Sequence, residues 1–347
     1  MRYKLFGRHT GLRVSELVLG AGSFGTGWGH GAEPDEVRRI FDAYADAGGN
    51  FIDTANGYQA GQSEQILGDL LAGRRDDFVL ATKFTLGVDA NANILVTGNS
   101  RRAMVSSVEA SLKRLKTDRI DLYWVHMSDG VTPSEEIVRG FDDLVRAGKI
   151  LYAGLSDFPA WRVARAATLA EVRGTVPIAG IQVEYSLVER TTEQELLPVG
   201  HALGLGIVAW SPLGGGMLTG KYRQGEKGRR EGLGRVFQDE DTPQRTAILD
   251  TLISVAKEAG VTPGEIAIAW VAAKGSLPII GPRTLAQLQG NLGAINVVLS
   301  AAQIARLDEV SAIAPVFPYT VLSDPGTRQR FTGGKLEQFD APLETVA

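Results

Sequence analysis

What most constrains the fold of this chain is a rhythm: eight short apolar runs of strand type, each followed by a segment of helical period. The runs are Glu16–Leu19, Phe51–Asp53, Phe78–Lys83, Ile120–His126, Leu151–Leu155, Ile178–Val183, Gly206–Trp210 and Leu277–Gly281. Eight such alternations favour an α/β fold of the closed parallel (β/α)8 TIM-barrel type over an open doubly wound sheet. A length of 347 residues would accommodate two domains, but barrels run to about 250 residues or more as one unit. One domain over 1–347 is expected, with its core at about 16–312. Ahead of the core, Tyr3–Phe6 and Leu12–Val14 read as a β-hairpin suited to plug the barrel's bottom. Two stretches break the rhythm: a Gly-rich, charged connection at 212–243 after the seventh strand and an irregular tail at 313–347. Long loops in compact folds are usually functional or disordered.

Local signals agree with the helices. Thr132-Pro133-Ser134-Glu135 reads as N-cap, first-turn proline and capping-box glutamate. Ile137, Phe141, Leu144 and Val145 then mark a buried face, and Gly148 stands where a C-cap glycine belongs. Ser100 is placed to cap a helix whose Val105, Val108, Leu112 and Leu115 form an apolar stripe.

Composition removes whole classes of chemistry. The chain has no cysteine, which excludes disulfides, iron–sulfur clusters, thiolate metal sites and cysteine nucleophiles. Its four histidines, at 9, 30, 126 and 201, are scattered without the i, i+4 spacing of a helical zinc pair, so no metal is expected. A formal charge of −4 argues against nucleic-acid binding, and no run of eighteen apolar residues offers a membrane span. The N-terminal stretch interrupts its apolar residues with Arg and Lys, unlike a signal peptide, and a cytoplasmic protein is expected.

In a barrel, catalytic groups come from the C-terminal ends of the strands. Here the second run ends in Asp53, with Tyr58 five residues on, the third in Lys83 and the fourth in His126. An acid, a phenol, an amine and an imidazole thus converge on one rim. Tyrosine, with a reference pKa of about 10, is a proton donor at neutral pH, and an adjacent ammonium favours its phenolate. Asp53 would hold Lys83 charged, and His126 would orient a carbonyl oxygen that becomes an alkoxide. Taken singly, Asp53 or Lys83 reads equally well as a structural ion pair, and a lone His126 after an apolar strand is more often a satisfied core histidine. Their coincidence at adjacent strand ends is what points to chemistry.

The motifs FIDTANGYQAGQSEQILGDLL, ATKF, DLYWVHMSDGVTP, GKILYAGLSDFPAW, IQVEYSLVER, VAWSPLGGGMLTGKY and PIIGPRTLAQLQGNLGA follow in order. Together, from about Leu5 to about Ala312, the chain resembles the aldo-keto reductase family, and its SDFPAW variant resembles the bacterial and fungal aryl-alcohol dehydrogenase-like branch. The resemblance implies that Asp53, Tyr58, Lys83 and His126 are the catalytic tetrad, with Tyr58 as general acid. It also implies a nicotinamide cofactor extended across the barrel mouth without a Rossmann domain. Gly22, Ser23 and Phe24 would line its end of the first loop, with Asp53 also on the cofactor side. Ser156, Asp157 and Gln182 would hold the carboxamide, and Trp210 would stack on the nicotinamide ring. Ser211, Pro212, Leu213, Gly215 and Lys221 would wrap the pyrophosphate, and Gly281, Arg283, Gln287 and Asn291 would meet the adenosine end. Where many members carry Asn, this chain has Asp157, which as a carboxylate accepts but cannot donate.

Arg283, Gln287 and Asn291 are spaced to share one helical face, with Leu285, Leu288 and Leu292 on another. The start of that helix would favour phosphate, and Arg283 offers a charge-assisted contact to a 2′-phosphate, so NADPH is favoured over NADH. The expected activity is reduction of a small-molecule aldehyde or ketone, or the reverse oxidation of an alcohol. Two alternatives stay open: a cofactor-binding regulatory subunit, as the channel β-subunits that resemble this family, and a Schiff-base aldolase using Lys83.

Some signals mislead. Gly20-Ala21-Gly22-Ser23-Phe24-Gly25 satisfies the dinucleotide fingerprint, but Thr26–Gly31 intervenes before a helix expected near Pro34, so a Rossmann turn is rejected. Gly215–Lys221 mimics a P-loop, yet Tyr222 follows where a magnesium-binding hydroxyl is needed. Residues 221–235 hold six Lys or Arg against Glu226 and Glu231, which reads either as a solvated loop or as a lid attracting phosphate. Trp28, Phe84, Met127, Phe317, Tyr319 and Phe331 are candidates for an apolar substrate pocket or for ordinary packing.

Overall fold

Eight parallel strands close on themselves in the computed structural model, which describes residues 1–225 and 238–340. An N-terminal hairpin of β1 (Tyr3–Leu5) and β2 (Arg13–Ser15) precedes the barrel. The barrel strands are β3 (Val18–Gly20), β4 (Phe51–Asp53), β5 (Val79–Phe84), β6 (Ile120–Val125), β7 (Ile150–Ser156), β8 (Ile178–Glu184), β9 (Gly206–Trp210) and β10 (Leu277–Ile280), with β10 pairing back onto β3. Each expected strand is present in sequence order. The helices α1 (Pro34–Asp46), α2 (Gln62–Leu70), α3 (Arg101–Leu115), α4 (Ser134–Arg146), α5 (Ala160–Arg173) and α6 (Leu196–Ala202) alternate with β3 to β9. After β9 come α7 (Pro243–Ala259) and α8 (Pro263–Ala273), and after β10 come α9 (Leu285–Leu292) and α10 (Ala301–Val310). No helix among the described residues is long and apolar enough to cross a membrane.

The hairpin does plug the bottom. Its Phe6 is fully buried among the inward side chains of the barrel, edge-on to Phe51 and Trp124 at 5.8 and 6.3 Å. A Cβ on Gly180 or Gly206 would lie within 2.5 or 2.7 Å of that ring, so the aromatic plug requires bare backbone at both positions. Side chains from β3, β4, β5, β6, β8, β9 and β10 fill the lumen above it, so the barrel interior is a packed core.

Several local expectations need correction. Ser100 caps α3, its Oγ accepting from Ala103 N at 3.2 Å. Thr132 does not cap α4, which starts at Ser134 with Pro133 as N-cap. The Asp129 carboxylate accepts from Thr132 Oγ1 (2.6 Å) and from Thr132 N (2.9 Å), holding Thr132 in the loop ahead of the helix. Val105 is exposed; the buried stripe of α3 runs instead through Met104, Val108, Leu112 and Leu115. Gly148 adopts φ 70° just past α4, as its position required. The tail is not wholly irregular: it forms α11 (Tyr319–Leu322) and α12 (Pro325–Phe331), without a buried residue in either.

Candidate active site

Alternation along the strands decides what faces the lumen. Phe51, Ala81 and Trp124 are inward-facing core residues, so Asp53, Lys83 and His126, each two positions further on, emerge on the same side at the rim. Lys83 is fully buried and Asp53 is 2% exposed. Lys83 Nζ donates to Asp53 Oδ2, to Thr54 O (2.8 Å) and to Tyr58 Oη (3.2 Å). All three ammonium protons therefore have acceptors. Burial by itself would lower the lysine pKa, but the charge of Asp53 and the hydrogen bonds to Asp53 and Tyr58 outweigh it, and the pKa is raised. Gln182 Nε2 donates to the other Asp53 oxygen at 2.9 Å, tying β8 to β4 across the lumen. Behind β5, the buried Glu64 accepts from Thr82 Oγ1 (2.6 Å) and Arg114 Nε (2.7 Å), fixing α2 and α3 to the strand that carries Lys83.

His126 meets Tyr58 edge-on, with ring centroids 5.8 Å apart. Desolvation, reinforced by the Lys83 charge, lowers its pKa from 6.5 to about 3, so the ring is neutral at physiological pH. Its Nδ1 is buried without a partner among the described residues, which places the single ring proton best on Nε2. Trp28 also meets Tyr58 edge-on, at 6.1 Å, and is 42% exposed. Among the other pocket candidates, Met127 adjoins His126 and is half-buried. Phe84 is buried and stacked on Tyr123, Phe317 and Phe331 are exposed in the tail, and Tyr319 reaches Glu195 at 3.3 Å.

The opposite wall, from β7 to β9, carries the residues expected at the carboxamide and ring. Ser156 is 1% exposed and its Oγ has no partner among the described residues. Asp157 and Ser211 both have left-handed backbones (φ 49° and 58°), which turn their side chains out of the strand direction at the mouth. Trp210 Nε1 donates to Asp157 Oδ1 at 3.0 Å, so the aspartate, unable to donate, is used as an acceptor here. Asp157 keeps a solvent-exposed edge, but desolvation by the surrounding protein prevails over the Trp210 hydrogen bond and the Lys83 charge and raises its pKa to about 6. Glu184, at the end of β8, is raised to about 7 by desolvation and by the charges of Glu189 and Asp157, against a hydrogen bond from Gln238. Sequence reading missed Glu184; its signal was its place at a strand end beside Trp210, its register partner.

Further along the mouth the expected phosphate residues are only partly assembled. Gly215 and Gly216 both have positive φ, Gly215 N donates to Ser211 Oγ (3.3 Å), and Lys221 lies over the Tyr222 ring. Pro212 is buried and Leu213 packs on the core. Of the six basic residues at 221–235, Lys227, Arg229, Arg230 and Arg235 lie outside the described residues, and Arg223 is paired with Glu240 (2.8 Å) and Asp250 (2.6 Å). On the first loop, Gly22 and Ser23 stay near the mouth, but the Phe24 side chain is fully buried in the core.

The residues expected at the adenosine end are arranged differently from the expected helical face. Arg283 precedes α9, with Thr284 as N-cap, so it does not continue the helical face of Gln287 and Asn291. Instead Gln287 Oε1 accepts from Arg283 N (2.8 Å) and Thr284 Oγ1 from Gln287 N (3.2 Å). Leu285 N donates to Glu36 Oε1 of α1 at 2.6 Å, so a carboxylate already occupies part of the helix start. Leu288 is buried and Leu285 and Leu292 pack against the core, as expected, while Gly281 is exposed.

Such a barrel, with a buried aspartate–lysine pair touching a tyrosine at the strand ends, can be compared with known proteins. The profile of the Aldo/keto reductase family matches residues 16–312, and the chain belongs to that family of oxidoreductases. It is 36% identical to norsolorinic acid reductase of Aspergillus flavus over 99% of this chain and 91% of the relative. Identity to the uncharacterized oxidoreductase YrpG of Bacillus subtilis is 39%, over 89% of this chain and 96% of that protein. A Saccharomyces cerevisiae relative that carries the name of an aryl-alcohol dehydrogenase is 34% identical over 93% of this chain and 90% of its own length.

Proposed function

We propose that this protein reduces an aldehyde or ketone to the alcohol with NADPH, Tyr58 delivering the proton to the carbonyl oxygen. The observation that carries this reading is the bonded chain Asp53–Lys83–Tyr58 at the barrel mouth, with Lys83 fully buried and its third proton on the phenol. As Tyr58 gives up its proton, the ammonium 3.2 Å away stabilises the phenolate left behind, and Asp53 keeps that ammonium charged. His126, neutral and carrying its proton on Nε2, would donate a hydrogen bond to the same carbonyl oxygen and orient it. A bound reduced nicotinamide supplies the hydride.

The residues present fit such a group. The unpartnered Ser156 Oγ and the Gln182 side chain would hold the carboxamide, Trp210 would support the ring, and the turned-out backbone at Gly215 and Gly216 would take the pyrophosphate. Arg283 supports a 2′-phosphate, whereas Glu36 at the start of α9 works against one. The names of the relatives, reductases and a dehydrogenase, support the reaction class.

The test is a panel of aliphatic, aromatic and sugar carbonyls assayed by consumption of NADPH and NADH, with the matching alcohols run in reverse. NADPH-linked turnover of at least one class is expected. Tight NADPH binding with no turnover on any of them would instead favour a regulatory subunit, and trapping of a keto substrate by borohydride would favour an aldolase.

A further inference from the structure

We propose that Gln59 is a positioning residue that selects among carbonyl substrates by clasping the loop that carries Trp28 against Tyr58. The proposal rests on Tyr58 being the acid. Directly after Tyr58 the backbone turns left-handed for three residues, Gln59 (φ 52°), Ala60 (φ 54°) and Gly61 (φ 88°). Glycine adopts this conformation freely, whereas a residue with a side chain is strained there and persists only where its surroundings hold it.

Gln59 is fully buried, and both ends of its amide are used. Its Nε2 donates to Gly22 O and its Oε1 accepts from Trp28 N, each at 3.0 Å. One turn later Gln62 Oε1 accepts from Thr26 N at 2.9 Å. The loop is seated as closely as backbone allows. A Cβ on Gly27 would come within 2.3 Å of Gln59 O, and one on Gly25 within 2.7 Å of Gln62 Oε1. A glutamine thus occupies a position where glycine would be less strained, and what it adds is a two-ended bridge to the loop. The consequence lies at the mouth, where the half-exposed Trp28 is held edge-on to the phenol. A ring-bearing carbonyl must lie against this indole to bring its oxygen to Tyr58, while a small aliphatic one needs only Tyr58 and His126.

The experiment compares Gln59→Gly, which relieves the left-handed strain, and Gln59→Glu, which keeps the bulk but cannot donate to Gly22 O, in wild-type and Trp28→Ala backgrounds. Substrates are benzaldehyde and propanal with NADPH. Both variants should lower kcat/KM for benzaldehyde about tenfold, mainly through KM, and for propanal less than about threefold, the scale at which misplaced pocket contacts act. In the Trp28→Ala background the extra loss should vanish. Fluorine NMR of 5-fluorotryptophan-labelled protein, with the Trp28 line assigned by Trp28→Phe, should show that line alone shifted in Gln59→Gly. Equal losses for the two aldehydes, the same loss without Trp28, or an unmoved Trp28 line would each overturn the proposal. Absence of wild-type turnover would count against the reductase reading instead, and the fluorine line would still test the clasp.

Discussion

The two walls of the barrel mouth solve the same electrostatic problem in opposite ways. On the β4–β6 wall a carboxylate and an ammonium are buried together, and Asp53 keeps Lys83 charged, with Gln182 and Thr54 completing their hydrogen bonds. On the β7–β9 wall Asp157 and Glu184 have no cation paired to them among the described residues, and their pKa values rise to about 6 and about 7. Burying a charge is tolerable when it is paired and hydrogen-bonded, and otherwise a group moves toward its neutral form. The first wall is therefore suited to a permanent proton-transfer apparatus, and the second to a surface whose charge varies with pH.

Removing the proton at the centre of the first wall should have the largest effect. Tyr58→Phe should lower carbonyl reduction by roughly 10²- to 10⁴-fold while leaving NADPH binding, read by fluorescence titration, nearly unchanged. Asp53→Asn should make the first wall resemble the second by stranding a buried ammonium. A stability loss of about 3–5 kcal/mol, measured by urea unfolding, is expected together with reduced turnover.

The converse change on the second wall is milder and pH-dependent. For Glu184 the folded-state pKa of about 7 exceeds the reference value of 4.5. The unfolded chain therefore loses this proton first, and the contribution to stability falls as pH rises from 4.5 to 7. Glu184→Gln should remove that slope, gaining about 1 kcal/mol over wild type at high pH after allowance for solvent screening, and nothing at low pH. Identical pH–stability curves for the two proteins would rule out an uncompensated carboxylate at this place. The smallest effect is expected farthest from the chemistry. Glu36→Gln should shift preference toward NADPH over NADH by about two- to fivefold, because it removes a negative charge from the start of α9. Competition binding of the two cofactors would measure it.

Three of the four rim groups were legible because a strand imposes period two: once Phe51–Asp53, Phe78–Lys83 and Ile120–His126 are read as parallel strands, their last inward positions must share a rim, and Tyr58 follows on the loop after the first of them. Caps were less legible. Ser100 caps α3 as expected, whereas α4 begins one residue later than expected and Thr132 stays in the preceding loop, bonded to Asp129. The helical face proposed for Arg283, Gln287 and Asn291 failed at its first member because Thr284 ends the extended segment one residue later.

By itself the sequence determined the barrel, its plug and the identity of the groups at the mouth, since these follow from local periodicity and from which residue ends each strand. Tertiary structure alone decided how those groups are charged and held. Gln182 reaches Asp53 across 129 residues of chain, Glu36 caps α9 across 249, and Gln59 locks a loop 31 residues before it. Hydrogen bonding and desolvation depend on distances through space, and no spacing along the chain encodes them.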